Sequence, residues 1–311
     1  MRPTELGVGD DGALVRPSVN CELVISTDLL VEGTHFFSDA DPEFLGWKTL
    51  AVNLSDMAAM GATPRWATLG CALNSVSPAP TGKFADSRDD VWLAAFARGF
   101  FACADRFGVD LIGGDTTRGV AGATTFSVTI IGEVPHGQAL RRDGAQIADH
   151  IWVSGNPGRA ALGLAHLRGR TALKGSNLEG CLEALHRPIP RVELGLALRG
   201  VASAAIDVSD GLLADLGHLL SASSVSANLQ MNDLPEIGLA RDAFLAGGDD
   251  YELAFTASPT RTDEILAIAK WLNLPLREIG VVVTGKVGAV KVLDQQGIDI
   301  TPARRGFDHF E

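Results

Sequence analysis

The sequence contains few cysteines, and none of them lies at a spacing typical of metal sites. Cys21, Cys71, Cys103 and Cys181 are widely scattered and form no CxxC motif. This pattern disfavours a zinc site and a disulfide framework, and it suits a reducing cytosol. No apolar run reaches the roughly 18 residues of a membrane-spanning helix, and no signal peptide opens the chain. We therefore expect a cytoplasmic protein with no membrane partner.

Basic residues are also fewer than acidic residues. The chain has 26 Lys and Arg against 38 Asp and Glu, which gives a formal net charge of −12. Such a balance disfavours nucleic acid or an anionic membrane as a main partner. It does not exclude a phosphate ligand, because clustered carboxylates can act on phosphates through divalent cations.

The common nucleotide-binding motifs are missing. The sequence has no GxxxxGK[ST] motif, which excludes a P-loop. It has no GxGxxG that opens a helix after a strand, and no kinase-type HRD and DFG set. What it has instead is many carboxylates, many glycine turns and few candidate catalytic bases. That combination fits phosphate chemistry performed by metal ions and by positioning.

Length and composition predict two globular domains. A chain of 311 residues exceeds the usual size of a single core. An apolar content of 46% and a charged content of 21% are ordinary for a globular protein. The best boundary lies at 135–144, a Pro- and Gly-containing stretch, and we predict domains at 1–137 and 138–311.

Hydrophobic patterning places helices and strands in the first half. Asp41 as N-cap, Pro42 at the first helical position and a stop at Gly61 predict a long helix. Two β-like runs at 13–16 and 22–27 predict a hairpin. A short strand at 109–112 is expected to end in a glycine turn, and a strand at 124–134 is expected to pair with it.

Carboxylates follow glycines or strand ends at several separate places. Gly113-Gly114-Asp115 taken alone is more typical of a tight turn in which Asp115 caps a helix. Ser26-Thr27-Asp28 places three oxygen groups at a strand end. The recurrence of such turns is what favours metal binding over turn formation, because Mg²⁺ prefers oxygen ligands.

Two helices add further oxygen ligands to this set. Asn53 and Asp56 lie three residues apart and so share one helix face, close to its apolar stripe. A partly buried Asp56 needs a partner, and a metal is at least as plausible as a structural bond. In the second half, Asp207 and Asp210 precede a leucine-rich helix, and Ser209 is expected to cap that helix.

Several longer motifs carry a resemblance to the thiamine-monophosphate kinase family. They appear in the family's order over nearly the whole chain, and as a set they are highly specific. The motifs are GVGDDGA (7–13), STD (26–28), EGTHF (32–36), AVNLSDMAAMGA (51–62), LIGGDTTRG (111–119), DVSDGL (207–212), GGDDYEL (247–253) and GFDHF (306–310).

The resemblance implies a fold, a reaction and a cofactor. The family belongs to the superfamily of aminoimidazole ribonucleotide synthetase and selenophosphate synthetase. The implied fold is α/β (α+β) with two domains, and the N-terminal domains of a homodimer pair into a β-barrel. The implied reaction converts ATP and thiamine monophosphate into ADP and thiamine diphosphate, with several Mg²⁺ ions.

The resemblance also implies a role for individual residues. The positions matching magnesium ligands are Asp11, Ser26, Thr27, Asp28, Asp56, Asp115, Asp207 and Asp210. The positions matching ATP contacts are Gly114, Asp115, Arg142 and Ser209. The positions matching the thiamine phosphate pocket are His35, Asp249 and Phe307. No general base is expected, because the attacking group is already an anionic phosphate oxygen.

This sequence departs from the family pattern at two points. The family usually has Glu where this chain has Asp249, which is one methylene shorter and is expected to lengthen the substrate contact. Family members usually carry about one helix before residue 7, and we expect this chain to lack it. Two rival functions stay open: an ATPase of the same superfamily acting on another acceptor, and a non-catalytic binder of cations or nucleotides.

Overall fold

The computed structural model describes residues 4–74, 87–119, 122–230 and 238–307. Two compact units divide the chain, one formed by Met1–Met57 and Thr63–Gly137 and the other by Ala58–Ala62 and Gln138–Glu311. Within the described residues, no helix is both long and apolar enough to cross a membrane.

The first unit is built on a four-stranded sheet and two long helices. Its elements are β1 (Thr4–Leu6), β2 (Leu14–Val15), β3 (Cys21–Val31), α1 (Pro42–Ala59), β4 (Thr63–Leu73), α2 (Ser87–Phe107), β5 (Asp110–Arg118) and β6 (Thr125–Pro135). The strand order of the larger sheet is β3-β6-β4-β5. Strands β4 and β5 are parallel, whereas β6 is antiparallel to both β3 and β4. The sheet is therefore mixed.

The predicted long helix is confirmed as α1. The Asp41 carboxylate accepts hydrogen bonds from the backbone N–H groups of Glu43 and Phe44, at 2.8 and 3.1 Å. These bonds satisfy donors that the first turn of a helix leaves unpaired. Leu50 and Leu54 are fully buried along the inner face of α1. The local sequence signal and the tertiary packing therefore agree at this helix.

Two predicted strand pairings in the first unit are wrong. The predicted hairpin does not form, because β2 pairs with β1 and β3 pairs along its whole length with β6. Strand β6 pairs with β3 and β4 and not with β5, which is the strand before it. Both errors have one cause: adjacent strands in a sequence often pair, but the hydrogen bonds of a sheet are chosen by its whole tertiary arrangement.

One face of the four-stranded sheet is apolar and the other is open to solvent. Val24 and Leu30 of β3 are buried on the first face. Leu23, Ile25 and Leu29 alternate with them and are 45%, 62% and 55% exposed. Successive side chains of a strand point to opposite faces, so β3 presents a row of exposed apolar side chains on the open face.

The second unit is built on a six-stranded sheet. Its elements are β7 (His150–Ser154), α3 (Arg159–Leu167), α4 (Gly175–His186), α5 (Val192–Ala197), β8 (Ala204–Val208), α6 (Leu212–Ala222), β9 (Ser226–Gln230), α7 (Leu239–Ala246), β10 (Glu252–Ala257), a 3₁₀ turn (Pro259–Arg261), α8 (Thr262–Leu272), β11 (Leu276–Val283) and β12 (Val290–Leu293). The strand order is β12-β9-β11-β7-β10-β8, with only the β12–β9 pair parallel among these pairings.

Helix α6 organises the core of the second unit. Five of its leucines, Leu212, Leu213, Leu216, Leu219 and Leu220, are almost completely buried. They pack in one cluster with Ile206 of β8 and Val292 of β12. Burying a leucine contributes roughly 2 kcal/mol, so this face fixes α6 and, with it, the turn that precedes it.

Candidate functional site

In the first unit, the middle of β3 meets the C-terminal half of α1 through polar side chains. Ser26, Thr27 and Asp28 thus lie inside β3, and their predicted position at a strand end is wrong, because β3 continues to Val31. The Ser26 hydroxyl donates a hydrogen bond to Asp56 Oδ2 at 2.5 Å. Asn53 Oδ1 accepts the backbone N–H of Asp28 at 3.2 Å. Among the described strands, β3 lies at the edge of its sheet, and Asn53 bonds this N–H in place of a second neighbouring strand. The structure thus brings together Ser26, Asp28 and Asp56.

The carboxyl group of Asp28 is held where a negative charge is unfavourable. Burial, and then the nearby charge of Asp56, raise the pKa of Asp28 from 3.8 to about 7. Two carboxylates that share a partly buried place resist simultaneous ionisation unless a cation compensates them. The pair is therefore suited to a divalent cation, which would favour the charged form of both groups.

Thr27 lies apart from this group. Its side chain is exposed on the opposite face of β3, where its hydroxyl is 2.8 Å from the hydroxyl of Thr129 on β6. The reason is the two-residue period of a strand, which sends Ser26 and Asp28 to one face and Thr27 to the other. The structure does not place the Thr27 side chain with Asp28 and Asp56.

Gly113, Gly114 and Asp115 do not form the predicted turn; they lie inside strand β5. The pairing of β4 with β5 shifts by one residue between Ala67 and Thr68, so a β-bulge precedes the two glycines. Gly114 has φ 152°, and a Cβ there would collide with the carbonyl oxygen of Leu69. Bulges redirect strands next to functional sites. Asp115 is exposed beyond this bulge, paired in register with Gly70.

Acidic side chains are spread rather than clustered. Asp11 is exposed in the turn at 9–12, and its backbone N–H bonds to Asp10 Oδ1 at 2.8 Å. Over the four described ranges, no three His, Cys, Asp or Glu side chains are placed to hold one metal ion. Neither Asp11 nor Asp115 therefore completes the pair formed by Asp28 and Asp56 to a set of three.

The loop that carries His35 has a well-defined backbone. The imidazole Nδ1 of His35 accepts the N–H of Val31 at 3.0 Å. A neutral imidazole that accepts through Nδ1 carries its proton on Nε2. The neighbouring ring of Phe36 packs 6.0 Å from that of Phe126 on β6 and anchors the loop. His35 is thus prepared to donate a hydrogen bond through Nε2.

In the second unit, the turn between β8 and α6 is held by a carboxylate that sequence reasoning missed. Asp215 Oδ2 accepts the backbone N–H groups of Ser209, Asp210 and Gly211, each at 3.0 Å. Burial raises the pKa of Asp215 to about 6, with a further contribution from Asp210, against the effect of these bonds. The signal was present: Asp215 interrupts the apolar face of α6, and a buried acid needs partners.

Ser209 does not cap α6, contrary to the prediction. The N-cap position is Gly211, with no hydrogen bond from a side chain at that position. The Asp215 carboxylate does the capping from inside the helix, which leaves the hydroxyl of Ser209 available to other groups. The hydrogen bonds to the Asp215 carboxylate therefore hold the backbone of the turn that carries Ser209 and Asp210.

Asp249 and Phe307 converge on the same turn. The backbone N–H of Asp249 bonds to the Ser209 carbonyl at 2.8 Å, and that of Phe307 bonds to the Asp210 carbonyl at 2.8 Å. Position 306 suits glycine, which has no Cβ, because a Cβ there would come within 2.9 Å of the same Asp210 carbonyl oxygen. Four predicted site residues from three distant parts of the chain thus lie side by side.

Asp207 and Arg142 occupy different positions relative to that turn. Asp207 is buried near the end of β8, two residues before Ser209. The carbonyl of Arg142 accepts the hydroxyl of Ser223, the residue that follows α6. Since an 11-residue helix is about 16 Å long, Arg142 lies at the far end of α6 from Ser209. Within this unit, the two predicted ATP contacts are not neighbours.

Two acids flanking Tyr251 point into the second unit and anchor the loop at 247–251. Asp250 is half-buried, and its carboxylate accepts the N–H of Gly158 at 2.7 Å. The removal of water from around this carboxylate raises the pKa of Asp250 well above the ordinary value. Its carboxylate thereby lies at the N-terminus of α3, where the helix dipole favours a negative charge. Glu252 forms a bidentate ion pair with Arg191, whose Nε and Nη2 donate to the two carboxylate oxygens, both at 2.6 Å.

Comparison with known proteins gives a consistent picture across the whole chain. The family model for the N-terminal domain of AIR synthase-related proteins matches residues 9–134, and that for the C-terminal domain matches residues 146–293. A thiamine-monophosphate kinase of Salmonella typhimurium is 42% identical over 316 aligned residues, covering 98% of this chain and 92% of the relative.

Solved structures are similar over the same extent. The crystal structure of thiamine-monophosphate kinase from Stenotrophomonas maltophilia has 46% identity and a TM-score of 0.81, covering 93% of this chain and 91% of that one. A structure of AaThiL complexed with AMPPCP and TMP has 28% identity and a TM-score of 0.77, covering 97% and 92%. The two-domain α/β fold with mixed sheets is common to them and to this chain.

Proposed function

Because this chain belongs to the thiamine-monophosphate kinases among the AIR synthase-related proteins, we propose that it phosphorylates thiamine monophosphate with ATP. A phosphate oxygen of thiamine monophosphate attacks the γ-phosphorus of ATP. A new P–O–P bond forms, the bond to the β-phosphate oxygen breaks, and ADP leaves. The product is thiamine diphosphate, so the reaction is the last step of its biosynthesis.

One observation carries the proposal: similarity extends over the whole chain to a relative whose solved complex holds both kinds of substrate. AaThiL was solved with AMPPCP, an ATP analogue, and with TMP. The identity of 42% to a named kinase covers 98% of this chain. Partial matches could reflect a shared ATP-binding half alone, whereas matches of this extent include the parts that select the acceptor.

The reaction needs positioning and charge compensation more than acid–base chemistry. The attacking oxygen is already anionic, so the main barrier is the repulsion between two polyanions. A bound Mg²⁺ supplies Lewis-acid charge neutralisation. Mg²⁺ commonly uses one or two carboxylates together with substrate phosphates, and the pair formed by Asp28 and Asp56 fits that donor set.

We assign the remaining residues as follows. Ser26, Asp28 and Asp56 hold the cation from the first unit, with Asp11, Asp115, Asp207 and Asp210 as further candidate ligands. ATP is bound by Gly114, Asp115, Arg142 and Ser209. The acceptor is bound by His35, Asp249 and Phe307. His35 suits an anionic phosphate oxygen because it offers an N–H at Nε2, and Phe307 suits an aromatic ring of the acceptor.

We also infer that the protein acts as a homodimer whose N-terminal sheets close a β-barrel. The exposed row Leu23, Ile25 and Leu29 on the open face of the sheet supports this arrangement, because contiguous apolar surface is typical of interfaces. An Ile25→Asp variant should be a monomer in light scattering, while Thr129→Ser should remain a dimer. A wild-type monomer would contradict the inference.

A cytoplasmic location is part of the same proposal. All four cysteines are thiols in the structure, which suits a reducing compartment. A fusion of the chain to a fluorescent protein should therefore fill the cytoplasm evenly, and enrichment at the membrane would contradict this location.

The function is tested by offering several acceptors side by side. ADP formation should be measured with ATP and Mg²⁺ in the presence of thiamine, thiamine monophosphate or another phosphorylated acceptor. We expect turnover with thiamine monophosphate and a product that carries one additional phosphate. Turnover with another acceptor instead would indicate a different ATPase of the superfamily. Metal-dependent ATP binding without turnover would indicate a non-catalytic binder.

A further inference from the structure

The single tyrosine of the chain is bonded to a predicted substrate-binding residue. Tyr251 is 8% exposed, and its hydroxyl donates a hydrogen bond to Asp249 Oδ1 at 3.0 Å. Buried tyrosine hydroxyls need a partner, and here that partner is a carboxylate two residues away. A phenylalanine ring would fill the same space, so the hydroxyl of Tyr251 is the feature that requires an explanation.

The backbone around this bond is held in an unusual conformation. Asp249 has φ 67° and Tyr251 has φ 52°, in the left-handed region that side chains other than glycine rarely adopt. Such conformations are strained and persist only where the surroundings enforce them. Here Ser209 and Val208 enforce them, because their carbonyls accept the N–H groups of Asp249 and Tyr251, both at 2.8 Å.

The four consecutive side chains at 249–252 divide into two pairs. Asp250 and Glu252 bond inward, to Gly158 and to Arg191, and hold the loop to the unit. Asp249 and Tyr251 bond to each other, beside the turn that carries Ser209. The backbone of Asp249 is bonded to that of Ser209, so the hydroxyl of Tyr251 acts on a side chain that begins beside that turn.

We propose that Tyr251 is a positioning residue that selects the acceptor by fixing the carboxylate of Asp249. The proposal rests on the proposed function. A carboxylate has about four acceptor sites, so the bond from Tyr251 occupies one of them and sets the plane of the group. Asp249 repels a phosphate, and its carboxylate therefore suits the other end of thiamine monophosphate. There the aminopyrimidine offers N–H donors and the thiazolium ring carries positive charge.

The shorter side chain at 249 makes this positioning more important. Aspartate reaches one methylene less far than the glutamate usual in the family, so a rotated carboxylate would lose its contact with the acceptor. A hydrogen bond to a charged group limits that rotation. We expect the effect on acceptor binding to be about 10-fold.

A double-mutant cycle tests the proposal. Tyr251→Phe keeps the ring and removes only the hydroxyl, and we expect it to raise the KM of the acceptor about 10-fold. The KM of ATP and kcat should stay within about twofold. In an Asp249→Ala background, Tyr251→Phe should have almost no further effect, because its target is gone. Thr256→Val is a matched control that removes a buried hydroxyl bonded to Ser203, and it should leave both KM values unchanged.

Two outcomes would overturn the inference alone. One is an equal rise in acceptor KM from Tyr251→Phe in both backgrounds, which would mean that the hydroxyl acts independently of Asp249. The other is an equal rise in the KM of ATP and of the acceptor. A wild-type protein that forms no ADP with any acceptor would instead overturn the proposed function, and the positioning role with it.

Discussion

Replacing Asp28 by asparagine should stabilise the metal-free protein while removing its turnover. The folded protein raises the pKa of Asp28 from 3.8 to about 7, first through burial and then through the charge of Asp56. Asparagine has the same shape and no charge, so the variant avoids this penalty. The bond between the Asp28 backbone N–H and Asn53 Oδ1 does not involve the side chain and stays in place.

The size of the effect follows from the pKa. A change from 3.8 to about 7 corresponds to roughly 4 kcal/mol, at about 1.4 kcal/mol for each pH unit. Because water reaches part of the side chain, about 2–4 kcal/mol is the expected range. Between these two pKa values the folded state keeps a proton that the unfolded chain has released. The free energy of unfolding of the wild type therefore falls as the pH rises through this window and then levels off.

Urea unfolding in the presence of EDTA measures this difference. The stability gained by Asp28→Asn should be larger at about pH 8 than at about pH 5, by about 2 kcal/mol. Asp39→Asn removes an exposed carboxylate of the same unit and should change stability by less than about 0.5 kcal/mol at both pH values. An equal gain at both pH values, or no gain, would refute the electrostatic reasoning.

The same variant separates stability from metal binding. Added Mg²⁺ should raise the unfolding midpoint of the wild type, because a ligand that binds only the folded state stabilises it. It should raise that of Asp28→Asn much less, and turnover of the variant should fall by at least about 100-fold. If Mg²⁺ stabilised both proteins equally, Asp28 would not be a metal ligand.

Three further changes give distinct results. Asp115→Asn keeps the shape of an exposed strand residue and should lower turnover by about 100-fold or more, with an unchanged circular dichroism spectrum; a near-wild-type rate would contradict its assigned role. Gly114→Ala brings a Cβ against the Leu69 carbonyl and should destabilise the protein by about 1–3 kcal/mol in urea unfolding, whereas Gly113→Ala, where no atom lies within 4 Å of the added Cβ, should be milder; equal losses would refute the collision. Arg191→Met leaves the buried Glu252 without its ion pair and should destabilise by about 3 kcal/mol or more, whereas Arg261→Met breaks an exposed pair with Glu264 and should cost less than about 1 kcal/mol; similar losses would show that burial is not what matters.

Local signals in the sequence predicted helices well. The Asp41 cap, Pro42 and the apolar spacing that follows are properties of one continuous segment, so α1 could be located without knowledge of its neighbours. The leucine stripe of α6 was equally readable. In both cases the hydrogen bonds of the element lie within the element itself, which is why its sequence is sufficient.

Sheet pairing was less predictable because its hydrogen bonds join distant segments. The stretch at 113–115 was expected to be a turn, since two glycines and an aspartate are typical of turns. It is instead part of β5, because β4 offers a parallel partner and only glycine fits beside Leu69 at position 114. A turn at 113–115 would give up the backbone hydrogen bonds that this stretch forms with β4.

The sequence by itself determined the membership of the chain in its family, the chemistry to expect and the oxygen groups available for it. Only the tertiary structure decided which of those groups meet. It brings Ser26, Asp28 and Asp56 together and turns Thr27 to the opposite face of the sheet. It also gathers Ser209, Asp249 and Phe307 at one turn, whose backbone is bonded to the carboxylate of Asp215. The physical reason is that the proximity of side chains depends on strand register and helix packing, and both are set by contacts between residues far apart in the chain.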